Sequence, residues 1–151
     1  MKRINRSNAR WIIVAICIVI LAGFVVGLTI NVNKLTTTKT LSAAAYDIGS
    51  LDANGKVTKS TENIYTKDYV TVDGLKITID EKADVQYKLF FYDADKVFLS
   101  SSEAWLTADF NGSIPETAKY VRVVIDPIDD AEVSALELVK YAGQLTVTYN
   151  K

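Results

Sequence analysis

Histidine is absent from this chain of 151 residues, and cysteine occurs once, as Cys17. Without histidine the chain lacks the usual general base and the commonest metal ligand. A lone cysteine rules out an intramolecular disulfide, and beyond position 17 there is no thiolate nucleophile or thiolate zinc site. Most hydrolytic mechanisms fail on these absences. A carboxylate pair of glycosidase type remains conceivable, because Asp and Glu number 18, yet so small a domain rarely supplies a deep cleft, and the chain is expected to be non-catalytic. With no staple, stability must come from packing, and residues 41–151 are enough to bury about two-thirds of their unfolded surface.

Charge is missing from a second place. Residues 11–30 contain no Asp, Glu, Lys or Arg, and apart from Gly23, Gly27 and Thr29 every side chain there is large and apolar, or Ala or Cys. At about 1.5 Å per residue, a helix of that length covers the ~30 Å hydrocarbon core of a bilayer. Lys2, Arg3, Arg6 and Arg10 precede it without an acid among them, leaving 13 of the 17 basic residues against all 18 acids after it. The positive-inside rule then keeps the N-terminus in the cytoplasm. The apolar run exceeds the ~7–15 residues of a signal-peptide core, and the first small-x-small pair, Ala43 and Ala45, lies well beyond it, so an uncleaved signal anchor is expected. Cys17 sits in mid-span after bulky Ile16, as a small hydrophobe rather than a lipidation site. Gly23 and Gly27 form a GxxxG: either a close-packing face for a homodimer in the membrane, or ordinary lipid-facing glycine. The expected organisation is a cytoplasmic tail over 1–10, a single transmembrane helix over 11–30, a stalk over 31–40 and an extracellular domain over 41–151. Ten stalk residues reach at most about 35 Å, which favours targets at the cell surface.

Beyond the stalk the hydrophobic period becomes two. Leu75, Ile77 and Ile79 alternate with polar residues, as do Leu145, Val147 and Tyr149, while Val121, Val123 and Ile125 alternate with Arg122 and Asp126. Asn54-Gly55, Asp73-Gly74 and Asn111-Gly112 suit primed hairpin turns, and Asp93-Ala94-Asp95-Lys96 suits another. Strand-like runs fall near 43–51, 57–64, 69–72, 75–80, 86–92, 97–101, 120–126 and 136–149, the last divided at Gly143. Helical character is confined to 102–108 and 130–135, too short to cover a sheet. The fold expected is all-β, an antiparallel β-sandwich, with a small barrel as the alternative.

Two groups of residues stand out chemically. The acids Asp126, Asp129, Asp130 and Glu132 offer hard oxygens on one loop, either for a structural Ca²⁺ or as a solvated rim; their spacing is not that of an EF-hand. Trp105 lies in a polar connection, where an indole could stack on a sugar ring or fold back as a lid on the core. Tyr92, Asp93 and Asp95, at a strand end and its turn, are the other candidate ligand contacts. In the run from Tyr87 to Tyr92, apolar groups fall on both faces, which places that strand centrally. Asn111-Gly112-Ser113 is a glycosylation sequon by pattern, or a plain turn.

The stretch Tyr87-Lys88-Leu89-Phe90-Phe91-Tyr92-Asp93-Ala94-Asp95-Lys96-Val97-Phe98-Leu99, followed by Ile114-Pro115-Glu116-Thr117-Ala118-Lys119-Tyr120-Val121-Arg122-Val123, resembles the galactose-binding-like, carbohydrate-binding-like jelly-roll modules of bacterial surface and phage tail proteins. The resemblance covers roughly a third of the outer domain and implies a jelly-roll-like, non-catalytic glycan-binding or structural module. It carries over no binding residue, because the ligand loops of that family vary. The N-terminal anchor departs from the tail proteins and points to display on a cell.

Two functions compete. One is a membrane-tethered recognition module for surface carbohydrate, which predicts an exposed aromatic platform beside polar groups. The other is a structural or assembly subunit docking on another envelope protein, which predicts an apolar or edge-strand patch. Nucleic acid is disfavoured as a partner, since 13 basic against 18 acidic residues leave a net charge of −5 after the span.

Overall fold

The computed structural model describes residues 37–129 and 132–151. The expected tail, the transmembrane span with Gly23 and Gly27, most of the stalk and Asp130 lie outside the described residues. Among the described residues no helix is long and apolar enough to cross a membrane. They are mostly β, in antiparallel sheets, with one short helix.

The smaller sheet has the order β1 (Thr38–Thr40), β11 (Leu145–Asn150), β7 (Lys76–Ile79). Thr38 faces Asn150 and Thr40 faces Thr148, so the end of the stretch expected as stalk is an edge strand. The larger sheet is built around β10 (Tyr120–Pro127), which pairs along its whole length with β8 (Val85–Tyr92). Beyond β8 lies β9 (Phe98–Ser101). The other edge of β10 takes β5 (Ile64–Thr66) and then β6 (Val70–Thr71), with β2 (Tyr46–Ile48) outside β5. Both sheets have open ends, which the expected sandwich allows and a closed barrel does not.

One core lies between the two sheets. Ile77, Leu145 and Val147 enter it from the smaller sheet; Tyr87, Leu89, Phe91, Val121, Val123 and Ile125 enter it from the larger. Those of β7, β10 and β11 are residues picked out by period two, and burying each of the core residues stabilises by about 1.5–3 kcal/mol before entropy is counted. The far face of the larger sheet carries a second, smaller core of Leu51, Phe90, Tyr92 and Val124. It lies beneath a hairpin, β3 (Ser50–Leu51) and β4 (Val57–Thr58). Strand β8 is therefore buried on both faces over its continuous apolar stretch, Leu89 to Tyr92.

Three local readings are corrected. Residues 136–149 are not one divided strand: Ala135–Gly143 is a helix, α1. Leu136 and Leu138 mimic a period of two, but Leu138, Tyr141 and Ala142 are the residues that reach the core, at helical spacing. A capping box starts the helix: the Ser134 hydroxyl accepts from the Glu137 N–H at 3.4 Å, and the Glu137 carboxylate accepts from the Ser134 N–H at 2.8 Å. Lys140 and the following Gln144 then fasten on Asp84, at 2.7 and 2.6 Å. Those two hydrogen bonds hold the Asp84 carboxyl below its ordinary range.

Residues 102–108 are not helical. Leu106 exchanges both backbone hydrogen bonds with Tyr87, at 2.9 and 2.8 Å, and the Phe110 N–H donates to the Ile77 carbonyl at 3.0 Å. The segment thus runs from the larger sheet to the β7 edge of the smaller one. Finally, Asp73-Gly74 turns no hairpin, because β6 belongs to one sheet and β7 to the other.

Candidate functional site

The hairpin β3–β4 is turned by residues 52–56, Asp-Ala-Asn-Gly-Lys. The Asp52 carboxylate accepts from the N–H groups of Asn54 and Lys56, at 2.8 and 2.9 Å. Gly55 takes the left-handed conformation, with φ +71°. Between β8 and β9 the same turn recurs over residues 93–97, Asp-Ala-Asp-Lys-Val. Here the Asp93 carboxylate accepts from the N–H groups of Asp95 and Val97, both at 2.9 Å. The left-handed position is held by Lys96, the one non-glycine residue with positive φ (+62°) among the described residues. Both turns have the aspartate signature of an Asx turn, whose side chain replaces part of the missing ladder.

The two turns meet over the second core. The Tyr92 hydroxyl donates to the Gly55 carbonyl at 2.6 Å, and burial pushes its pKa up to about 12, so it stays a neutral donor. Tyr69 packs edge-on against Tyr92, ring centres 4.8 Å apart, and the Lys96 ammonium stands 5.0 Å over the Tyr69 ring.

Arg122 lies beneath. Strand β5 stops at Thr66 and β6 resumes at Val70, leaving a break in the ladder beside β10. The guanidinium fills it: Nε and Nη2 donate to the Thr66 carbonyl at 3.0 and 2.6 Å, and Nη2 to the Lys67 carbonyl at 3.1 Å. The Val123 N–H is taken by the Thr66 hydroxyl at 3.1 Å. Arg122 is only 4% exposed and lies against the Tyr65 and Tyr69 rings, at 5.0 and 5.3 Å.

Two cavities adjoin the hairpin. The larger, about 600 Å³, is walled by Asn54, Gly55, Lys56 and Val57 of the hairpin, by Tyr69, by Tyr92, Lys96, Val97 and Phe98, and by Arg122. The smaller, about 300 Å³, has an apolar floor of Leu51, Phe90 and Val124, with Trp105 beside Ser50, Asp52, Lys88 and Ser101.

Trp105, 37% exposed, belongs to neither core and stands at the smaller cavity. Tyr92 lines the larger one, so the two aromatic candidates are not neighbours in a single site. Asp93 uses its carboxylate to hold the turn, and Asp95 is exposed on it. The acidic loop disperses: both Asp126 oxygens accept side-chain amides, from Asn63 and from Gln86 at 2.7 Å, while Asp129 and Glu132 are exposed. Among the described residues no three acidic side chains gather as metal ligands.

Sequence reasoning missed Lys56, Tyr69 and Lys96. The available signal was the repeated Asp-Ala opening of the two turns, together with an arginine set between valines in β10. No protein-family pattern and no curated protein sequence matches the chain.

Proposed function

We infer that the chain is a membrane-anchored, surface-displayed, non-catalytic module that binds carbohydrate. On this reading the antiparallel β-domain is a jelly-roll-like sandwich of galactose-binding-like type, and residues 11–30 are a single-pass anchor with the N-terminus in the cytoplasm. The observation that carries it is Trp105: a half-exposed indole at an apolar-floored cavity, flanked by Ser50, Asp52, Lys88 and Ser101. An aromatic face covers the C–H side of a sugar ring, while hydroxyl, carboxylate and ammonium groups take its hydroxyls.

The test is binding of the full chain, in a sugar-free detergent, to an array of glycans, repeated with Trp105→Ala. Trp105→Ala is expected to lower affinity at least tenfold, about 1.4 kcal/mol, without changing thermal stability. Chelating calcium is expected to leave binding unchanged, because the Asp126 oxygens are held by amides. Blank arrays from a folded protein would favour the second reading, an assembly subunit docking on another envelope protein. That reading has its own support: Leu136 and Val139 leave an apolar stripe on α1, 81% and 55% exposed.

A further inference from the structure

We propose that the larger cavity, at the meeting of the two aspartate turns, binds the anionic group of an acidic sugar, a carboxylate or phosphate carried on a pyranose ring. It is a second subsite, separate from Trp105, and it rests on the carbohydrate reading for its ring but not for its charge.

The chain beyond the apolar span is acidic by 18 to 13, yet no acid lines this cavity, whereas Lys56, Lys96 and Arg122 all do. Two of the neighbouring acids each have one carboxylate oxygen engaged by their own turns. Asp52 and Asp93 are each turned onto two N–H groups of their own turns, and Asp95 is exposed to solvent.

Arg122 is a buried cation with no carboxylate partner. The single ion pair among the described residues is Lys140 with Asp84, at another part of the domain. Carbonyl oxygens and ring faces solvate the guanidinium, but they supply no net countercharge, and a buried charge without one is costly. An anion in the cavity would supply it.

Lys96 adds an independent point. It occupies a left-handed conformation where its counterpart turn has Gly55. A side chain there costs roughly 1–2 kcal/mol, and such strain persists where the side chain is used. What Lys96 gains is a position over Tyr69 at the cavity. Tyr69 and Phe98 provide the apolar wall against which a sugar ring can lie.

The experiment is a titration of the full isotope-labelled chain, in a detergent free of sugar and phosphate. Amide NMR shifts are followed with glucuronate, glucose 6-phosphate, inorganic phosphate and glucose. Glucuronate or glucose 6-phosphate is expected to shift the amides of Lys56, Tyr69, Lys96 and Val97, with glucose at least tenfold weaker and added salt weakening the response. The double variant Lys56→Gln, Lys96→Asn is expected to lose the response by tenfold or more; asparagine tolerates the left-handed position, so the turn survives. No shifts with any anion, or glucose acting as strongly as glucuronate, overturns the proposal. Inorganic phosphate matching glucose 6-phosphate overturns its sugar part. The same titration on Trp105→Ala should be unchanged; if it is abolished, the two cavities form one site and the separate subsite is refuted. Anion failure beside positive glycan arrays condemns this subsite alone, whereas blank arrays condemn the carbohydrate reading.

Discussion

The turns over residues 52–56 and 93–97 are built alike, and they differ at the position that must be left-handed. In the first, Gly55 is pressed against the second core: a Cβ there would stand 2.6 Å from the Tyr92 hydroxyl and 2.7 Å from Phe98 Cδ2. In the second, Lys96 is exposed, and its side chain extends over Tyr69. Glycine stands where the backbone must pack, and a strained lysine where a charge is presented. The aspartate is common to both because both need the same hydrogen bonds; the left-handed residue differs because its surroundings differ.

The largest test of that contrast is Gly55→Ala. Left-handed strain of about 1–2 kcal/mol and overpacking of about 1–3 kcal/mol together predict a loss of about 3 kcal/mol, read as a lower urea midpoint with unchanged slope. A loss below about 1 kcal/mol would show that Tyr92 and Phe98 can move aside, and the packing half of the contrast would go. Next come Asp52→Ala and Asp93→Ala, each freeing two N–H groups; about 1 kcal/mol apiece is expected, equal in both turns. Unequal losses in denaturant unfolding would mean that the turns share a shape but not an energetic role. The smallest effect belongs to Lys96→Gly. Relief of strain, offset by the larger unfolded-state entropy of glycine, predicts a gain of about 0.5 kcal/mol in thermal or urea unfolding. A loss of stability instead would show that the cation over Tyr69 contributes to folding, so its position would need no ligand to account for it.

The runs of β7, β10 and β11 were legible because the residues facing the main core recur at a period of two, even though β10 is buried on its other face as well. The double-sided burial of β8 was legible because Leu89 to Tyr92 are four consecutive apolar residues. Helix α1 was not, since Leu136 and Leu138 imitate a strand locally; Ser134 and Glu137, three apart, were the better guide. Asp73-Gly74 has hairpin chemistry, but whether the following strand pairs back or changes sheet depends on distant partners. Of the candidate site, Trp105 was marked by its polar surroundings. The larger cavity was not marked, because Lys56, Lys96 and Arg122 come from three separate elements, and each alone is an ordinary surface or strand residue.

By itself the sequence determined the apolar segment at 11–30, the charge asymmetry across it, the absence of histidine chemistry and the predominantly β character beyond, because these depend on composition and on short-range periodicity. Tertiary structure alone decided that a hairpin would cover the far face of the larger sheet. It also decided that a break between β5 and β6 would draw in Arg122, and that two similar turns would bring their lysines to one cavity. Those outcomes depend on which strands become neighbours, and neighbourhood across a sheet is set by long-range pairing rather than by local order.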